Sequence, residues 1–288
     1  MRDIFFLALF IVLSAVLLRQ GECFAAEDTD VFRTKVGELD VFVLSEVNAE
    51  GDKSILLGAS EGDLKKFIPT GKFPNAVNAF AVRIGGAVTL IDTGYGQKLF
   101  ANIVKIGASP EEVTAILITH SHRDHIGGLL KGGGAAFPNA AVYVPKKEFD
   151  YSSDLRKVLQ AYDGRVKLFD PGTLASPGDE IVSGVRAIAA YGHTPGHTAY
   201  MVESGGKKLL IWGDLTHSMA IQMPRPGISV TYDTDPNKAA AIRKDILEYA
   251  MDEKIPVGGM HIAYPAVGKI ERDTENAGGY KFTSQAAK

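Results

Sequence analysis

His120-Ser121-His122-Arg123-Asp124-His125 is the stretch of sequence that predicts most about this chain. It follows Val113 to Thr119, an apolar run typical of a buried strand, and it precedes an apolar, helix-like stretch that begins at Ile126. A loop at a strand end can turn imidazoles two residues apart toward one point, and imidazole and carboxylate are suitable ligands for zinc or a similar divalent ion. The competing interpretation makes Asp124 a helix N-cap and leaves the histidines in a solvated loop.

The remaining histidines extend this pattern. All seven histidines of the chain lie beyond residue 119, at or near the ends of predicted strands. Tyr191-Gly192-His193-Thr194-Pro195-Gly196-His197 follows one strand, Trp212-Gly213-Asp214 ends another, and Gly258-Gly259-Met260-His261 ends a late apolar segment. Four strand ends therefore each present a ligand-type residue, which is how an α/β fold usually builds a site at one edge of its sheets.

Apolar strands alternate with amphipathic helices from Val77 onward, which indicates an α/β fold. Helices are predicted at Glu61 to Phe67 and at Gln97 to Ile106, and further helix starts are predicted at Ser109-Pro110-Glu111-Glu112 and at Asp235-Pro236. Strands are predicted at Leu39 to Leu44, Ala87 to Ile91, Val113 to Thr119, Ala141 to Val144, Val166 to Phe169, Val185 to Ala189, Ala199 to Glu203 and Lys207 to Trp212. The sequence contains no repeat or convincing linker, so one domain over residues 26–288 is the simplest interpretation.

The first 25 residues predict a secretory signal peptide. Arg2 precedes the apolar run Ile4 to Leu18, and Cys23-Phe24-Ala25 is a small-x-small cleavage site. An uncleaved membrane anchor would need about 20 apolar residues, and Arg19 ends the run early. The mature protein is therefore expected to be secreted or periplasmic, without a membrane association.

Composition limits the chemistry further. Cys23 is the only cysteine, so its removal with the signal excludes cysteine nucleophiles and thiolate metal ligands from the mature chain. Any metal must be held by histidine and carboxylate. The formal net charge of −3, without a dense basic patch, gives no indication of a nucleic-acid partner.

The order and spacing of these residues resemble the metallo-β-lactamase superfamily of hydrolases. The resemblance runs from Asn78-Ala79-Phe80 and Ile91-Asp92-Thr93-Gly94 through the histidine motif to His261. It implies an α/β fold of four αββα layers and two divalent metal ions, for which zinc is expected, although manganese, cobalt or iron also suit such ligands. It places one metal on His120, His122 and His193, and the other on Asp124, His125 and His261. Asp214 would bridge both metals, and Asp92 would support the site from behind a ligand histidine.

Asp214 and His217 narrow the resemblance to particular branches of the superfamily. Zinc β-lactamases proper lack the bridging aspartate, whereas glyoxalase II, the lactonases and phosphotriesterase-like members have it. Phe137-Pro138-Asn139-Ala140, Trp212 to His217 and Gly278-Gly279-Tyr280 are similar to the methyl parathion hydrolase group. Quorum-quenching lactonases typically carry a substrate-contacting tyrosine where this chain has His217.

The implied activity is hydrolysis of esters, lactones or phosphotriesters by a metal-bridging hydroxide. Asp124 and His217 are the candidate catalytic residues, Asp124 as a proton acceptor if only one metal binds and His217 as a hydrogen-bond donor to the substrate or leaving group. His217 is equally well interpreted as a wall residue, and His197 is expected to pack behind the ligands. The partner is a small-molecule substrate, and a homodimer is possible.

Three alternatives compete with this activity: hydrolysis of β-lactams, an iron persulfide dioxygenase, and a metal-binding module without catalysis. The apolar segments Phe67 to Phe73 and Ser218 to Pro226 are either core or the lining of a substrate pocket.

Overall fold

A computed structural model describes residues 30–285 of the 288-residue chain. The predicted signal peptide, residues 1–25, lies outside the described residues. Within residues 30–285, none of the helices has the length and apolar character needed to cross a membrane.

The described chain alternates strands with short helices. The strands are β1 (Val31–Val36), β2 (Leu39–Asp52), β3 (Leu56–Leu57), β4 (Lys72–Ile84), β5 (Ala87–Ile91), β6 (Val113–Leu117), β7 (Leu130–Lys131), β8 (Gly134–Ala135), β9 (Ala141–Pro145), β10 (Val166–Phe169), β11 (Glu180–Val182), β12 (Val185–Ala189), β13 (Thr198–Ser204), β14 (Lys207–Ile211), β15 (Ser229–Val230), β16 (Val257–Gly258), β17 (Val267–Arg272) and β18 (Tyr280–Ser284). The α-helices are α1 (Glu61–Phe67), α2 (Leu99–Lys105), α3 (Arg123–Ile126), α4 (Lys146–Tyr151), α5 (Ser153–Leu159), α6 (Met219–Gln222) and α7 (Pro236–Asp252).

Two seven-stranded sheets form the framework. The first has the order β1-β2-β4-β5-β6-β9-β10, and the second has the order β11-β12-β13-β14-β16-β17-β18. The pairs β5–β6, β6–β9 and β9–β10 are parallel, as is β14–β16, and the other pairs in these sheets are antiparallel. The loops that build the site follow β6, β12, β14 and β16.

Strand β2 shows how one sheet separates two apolar cores. Val41 and Val43 pack between the sheets, against residues of the second sheet, whereas Phe42 and Leu44 pack under α2 and α5 on the outer face. Successive side chains of a strand point to opposite faces, so an unbroken apolar run is expected where both faces are covered. Helix α7 covers the outer face of the second sheet, which completes the predicted four αββα layers.

Helix α7 begins as the sequence predicts. Asp235 caps it by accepting a hydrogen bond from the Lys238 N–H at 3.0 Å, and Pro236 occupies the first turn. Ile246 and Ala250 are buried against the sheet, while Ile242 and Tyr249 are partly buried beside them.

Two local predictions are corrected by the structure, and one open alternative is decided. Ser109 to Glu112 forms a capping box, but it starts only the 3₁₀ turn Pro110–Glu112, after which β6 begins at once. The stretch after Ile126 is likewise a single 3₁₀ turn, Gly127–Leu129, followed by β7. The segments 67–73 and 218–226 pack on each other in a small third core that includes Phe73 and Ile221.

Candidate metal centre

Both sheets deliver ligand-type side chains to one edge of the sandwich. The loop after β6 carries His120 and His122, and the short helix α3 that follows holds His125. His193, Asp214 and His261 stand three or four residues beyond β12, β14 and β16 of the second sheet. The sheet ends thus bring together residues that lie up to 141 positions apart in sequence (261 − 120).

The structure brings together all seven predicted ligands. They form two groups that share Asp214, each with its donor atoms within 4.8 Å of one another. We call the first group His120, His122, His193 and Asp214, and the second group Asp124, His125, Asp214 and His261. Asp124 lies inside the first turn of α3, whose N-cap is His122, so its interpretation as a helix cap is wrong.

In the first group, three ring nitrogens converge. His122 Nδ1 lies 3.0 Å from His120 Nε2 and 3.1 Å from His193 Nε2. Three imidazoles at this spacing cannot all be satisfied by hydrogen bonds among themselves, because a neutral ring has one donor and one acceptor nitrogen. A divalent cation would satisfy all three.

The bridging position is held by a buried carboxylate. Asp214 Oδ2 lies 3.0 Å from His261 Nε2 and 3.3 Å from His193 Nε2, and Asp214 Oδ1 lies 3.1 Å from His125 Nε2. Among the described residues, Asp214 Oδ1 and His125 Nε2 are buried without a hydrogen-bond partner. Orphaned buried polar atoms are rare in folded proteins, and these two face each other across the second group. The residues present therefore fit a pair of metal ions.

Buried acceptors behind the ligands fix their ring orientation. Asp92 Oδ2 lies 2.6 Å from His125 Nδ1, and Asp233 Oδ1 lies 2.8 Å from His193 Nδ1. The carbonyl oxygen of Ala76 lies 2.7 Å from His261 Nδ1. A proton on each Nδ1 leaves the Nε2 lone pair directed at the centre, which is the tautomer that a metal ligand needs.

The charges of the site follow from burial and crowding. Burial disfavours the ionised form of Asp214, but the surrounding histidines, His125 foremost, outweigh it and hold the pKa of Asp214 well below its usual range. Burial and the neighbouring His193 lower the pKa of His122 to about 4. Burial also opposes a charge on His193, but hydrogen bonds to Asp214 and Asp233 prevail and raise its pKa to about 9. A bound metal would replace that proton, since ligand histidines are neutral.

His217 and His197 belong to neither ligand group. His217 lies at the cavity with Nε2 3.2 Å from Asp214 Oδ2, and burial lowers its pKa to about 4 against the opposing effect of Asp214. His197 is buried behind the site, where Nδ1 lies 2.8 Å from the Ala190 carbonyl and Nε2 accepts the Asp214 N–H at 3.0 Å. His197 therefore holds the backbone of the bridging aspartate, in the supporting place the sequence predicts.

The site opens into a cavity of about 440 Å³. Its apolar wall comes from Val47 and Ala49 of β2 and from Ala76 and Val77 of β4. Its rim carries two partly exposed rings, Tyr95 and Tyr232. The ring centroids of Tyr232 and His217 are 5.8 Å apart. The segments 67–73 and 218–226 do not contribute to this lining, so their interpretation as pocket walls is wrong.

Sequence reasoning missed several supporting residues. Asp233 stands two residues before the helix cap Asp235, and nothing in the sequence distinguishes the two carboxylates. Arg243 is buried in α7 and binds the loop that follows Asp214. Glu148 is a fully buried acid on α4 that contacts two histidine-bearing loops.

Comparison with known proteins identifies the family to which the chain belongs. A family model described as "Metallo-beta-lactamase superfamily" matches residues 73–257, which is more than half of the chain. The protein belongs to the metallo-beta-lactamase superfamily, and the predicted superfamily and fold are confirmed.

Individual relatives are similar over part of their length. An N-acyl homoserine lactonase from Bacillus sp is 29% identical over 156 residues, covering 52% of this chain and 57% of that protein. N-acyl homoserine lactonase AiiA from Bacillus thuringiensis subsp. kurstaki is 28% identical over 210 residues, covering 69% of this chain and 76% of that protein. The chain thus spans little more than half the length of some of the relatives it matches.

Two solved structures are similar over most of their length. The "hydrolase AbOPH in beta lactamase superfamily" is 25% identical with a TM-score of 0.80, covering 90% of this chain and 98% of that one. AidC, described as a dizinc quorum-quenching lactonase in complex with a product, is 26% identical with a TM-score of 0.79, covering 89% and 97%. The narrower placement of this chain beside methyl parathion hydrolases stays a prediction.

Proposed function

We propose that this protein is a dinuclear metal-dependent hydrolase of lactones and apolar carboxylic esters, with zinc as its metal. The observation that carries the proposal is the pair of ligand groups sharing Asp214 beside an apolar-walled cavity. The names of the lactonase relatives and of the dizinc structural neighbour support the reaction class and the metal.

The first group would hold one ion and the second group the other, with Asp214 between them. Divalent ions held there would supply an activated water at neutral pH and Lewis acidity toward the oxygen of the scissile bond. The chain itself fixes the ligands: Asp92, Asp233 and Ala76 O hold three imidazoles by their far nitrogens.

Asp124 suits proton transfer as well as metal binding. Its Oδ2 lies 3.5 Å from His261 Nε2, yet its side chain keeps 18% of its surface exposed and lines the cavity. Asp214, by contrast, is 2% exposed. Asp124 is therefore the site carboxylate that can take up a proton from the attacking water and return it to the leaving alcohol.

His217 is proposed to orient the substrate. Its Nε2 lies 3.2 Å from Asp214 Oδ2, a distance that favours Nε2–H as the donor to that carboxylate and leaves Nδ1 as the acceptor. We therefore propose an acceptor role toward the substrate in place of the donor role expected from the sequence. Among the described residues His217 Nδ1 is buried without a hydrogen-bond partner, and the residue lines the cavity. An acceptor in this place suits a substrate that carries an N–H, as an acylated amino-lactone does.

The lining and size of the cavities beside the ligand groups also favour a substrate with an apolar part. Val47, Ala49 and Val77 line the cavity beside the two ligand groups. A second cleft of about 690 Å³, with Ile126, Leu130 and Val158 in its lining, meets it at His122 and Arg123. The two spaces together have room for a small ring at the metals and an apolar chain leading away from it.

The test is a substrate panel on one preparation of the mature chain loaded with zinc. N-acyl homoserine lactones, aryl esters, aryl phosphotriesters and a chromogenic β-lactam are compared by kcat/KM. Phosphotriesters are included because His217 departs from the lactonase tyrosine. We expect lactones or esters to rank first, a chelator to abolish turnover, and His122→Ala to reduce kcat/KM by about 100-fold or more.

The control variant is Lys157→Ala, whose side chain is 73% exposed on α5 and should leave turnover unchanged. A metal-loaded protein without turnover on any lactone, ester or phosphotriester would contradict the proposal. A β-lactam rate equal to that of the best ester would replace it with β-lactam hydrolysis.

A further inference from the structure

Glu148 is a fully buried acid that joins two loops. Its Oε1 accepts hydrogen bonds from the Ser121 N–H at 2.9 Å and from the Ser121 hydroxyl at 2.5 Å. Its Oε2 accepts from the Thr194 hydroxyl at 2.7 Å and from the Gly196 N–H at 3.0 Å. Each carboxylate oxygen therefore serves one loop, and helix α4 holds the two loops at a fixed separation.

The two loops carry the histidines of the first ligand group. Ser121 stands between His120 and His122, and Thr194 directly follows His193. The gap that Glu148 spans is thus the gap between His122 Nδ1 and His193 Nε2, which are 3.1 Å apart.

The histidines of the second group rest on other acceptors. His125 is held by Asp92, and His261 is held by the carbonyl of Ala76. Neither of these residues contacts Glu148. The two ligand groups are therefore held by different residues, and Glu148 contacts only the loops of the first group.

The contacts of Glu148 are unusual for a buried acid. None of the ion pairs formed within residues 30–285 includes it, so its two oxygens are satisfied by two hydroxyls and two backbone N–H groups. A buried carboxylate is costly unless it is fully hydrogen-bonded, and hydrogen bonds to an ionised acceptor are short and strong. The packing is also close, because a Cβ at Gly196 would collide with the backbone of Glu148. Such a contact has little freedom to adjust.

We propose that Glu148 is a positioning residue that sets the metal affinity of the first ligand group and leaves that of the second group unchanged. This inference rests on the proposed metal centre. Outer residues that orient ligands commonly change metal affinity by about 10–100-fold when replaced. Here the change should be confined to one of two neighbouring sites.

The test measures each site by itself in the full mature chain. His261→Ala disables the second group and leaves the first, and His122→Ala does the reverse. Glu148→Gln is added to each background, and Zn²⁺ affinity is measured by competition with a chromophoric chelator. Glutamine keeps the shape of Glu148 but turns an N–H₂ toward two donors, which breaks the hydrogen bonds to one loop. We expect affinity to fall about tenfold or more in the His261→Ala background and by less than twofold in the His122→Ala background.

Glu46→Gln is the matched control. Glu46 is 1% exposed and accepts the backbone N–H groups of Gln97 and Lys98 at 2.8 Å, so it is also a buried acid held by backbone donors. It contacts no histidine-bearing loop, and neither affinity should change. Thr194→Val is the milder variant, since it removes one donor to Glu148 and keeps the side-chain shape. If Glu148→Gln does not fold, Thr194→Val decides by the same comparison.

Selective weakening of the first site supports the proposal. Provided that the unmodified chain binds two metal ions, the proposal is overturned by equal weakening of both sites, by weakening of the second site alone, or by no change in either affinity. An unmodified chain that binds no metal would overturn the proposed function as well.

Discussion

Arg243→Met tests how the framework holds the bridging aspartate. Arg243 is 1% exposed, and its guanidinium donates to the carbonyls of Leu215 at 2.6 Å, Pro226 at 2.9 Å and Ile228 at 2.8 Å. The Ile228 carbonyl also accepts from Gln222 Nε2 at 3.0 Å and stays satisfied. Methionine fills most of the space but leaves two buried carbonyls, those of Leu215 and Pro226, without their donor.

The size of the effect follows from those two carbonyls. Each buried acceptor left without a partner costs about 1–3 kcal/mol, which predicts a loss of about 2–6 kcal/mol in the free energy of unfolding. Removing the guanidinium also removes the cost of burying it, but it leaves the buried Asp233, whose Oδ2 lies 3.8 Å from Arg243 Nη2, without that cation. These two effects oppose each other, so the expected loss stays near the middle of that range. Since Leu215 directly follows Asp214, the same change should loosen the bridging aspartate.

Urea unfolding followed by the fluorescence of Trp212, the only tryptophan, measures this loss. With an m-value of about 3 kcal/mol/M, the midpoint should fall by about 1 M. The neighbouring Lys244 is exposed, so Lys244→Met is the control and should stay within about 0.5 kcal/mol. Because Arg243 is not a ligand, the loss must persist after a chelator has removed the metals. A loss below about 1 kcal/mol, or one seen only in metal-loaded protein, would refute this reasoning.

Three further predictions concern metal, pH and a tight turn. Zinc at about 1,000 times its Kd should raise stability by about 4 kcal/mol and Tm by about 10 °C, as a thermal melt with and without chelator would measure; an unchanged Tm would contradict the metal centre. Burial raises the pKa of Glu46 above its ordinary 4.5, although hydrogen bonds from the N–H groups of Gln97 and Lys98 oppose this rise. Protonated Glu46 therefore stabilises the folded state fully below pH 4.5, and this contribution is lost as pH rises through the higher folded-state pKa. Glu46→Gln should remove that step from urea midpoints recorded between pH 4 and 7. Gly213 has φ +61°, and a Cβ there would lie 2.5 Å from His197 Nε2, so Gly213→Ala should lower both Tm and the amount of bound zinc. Gly205→Ala is the control: at φ +54°, with no atom within 4 Å of the added Cβ, it should cost only backbone strain of about 1–3 kcal/mol. Equal losses in the two variants would show that the clash with His197 is unimportant.

The ligand-type residues could be predicted because their signal is local, whereas their division into two metal sites came from the family resemblance. His120 to His125 is a dense run of ligand-type residues at the end of an apolar strand, and each distant partner also follows a strand. Glu148 and Asp233 carry no such signal, since their partners in the site lie 27 to 48 residues away along the chain. Only the folded sheets bring them together.

The errors in local structure have physical causes. Ser109 and Glu112 form the predicted capping box, but Val113 and the residues after it pair in parallel between β5 and β9, so the helix ends after one turn. Tertiary pairing outweighs a capping preference of about 1 kcal/mol. Hydrophobicity alone does not decide between core and cavity for Phe73 and Ile221, although core is the commoner place for such residues and is where the structure has them.

The two sheets contribute equal halves of both ligand groups. The first group takes His120 and His122 from the first sheet and His193 and Asp214 from the second, and the second group is divided in the same way. A bound ion would thus act as a crosslink between distant parts of the chain, closing a loop of about 70–140 residues whose entropy is lost only once the sheets have met. A bound metal would then constrain this chain, which has a single cysteine, much as a disulfide constrains other domains.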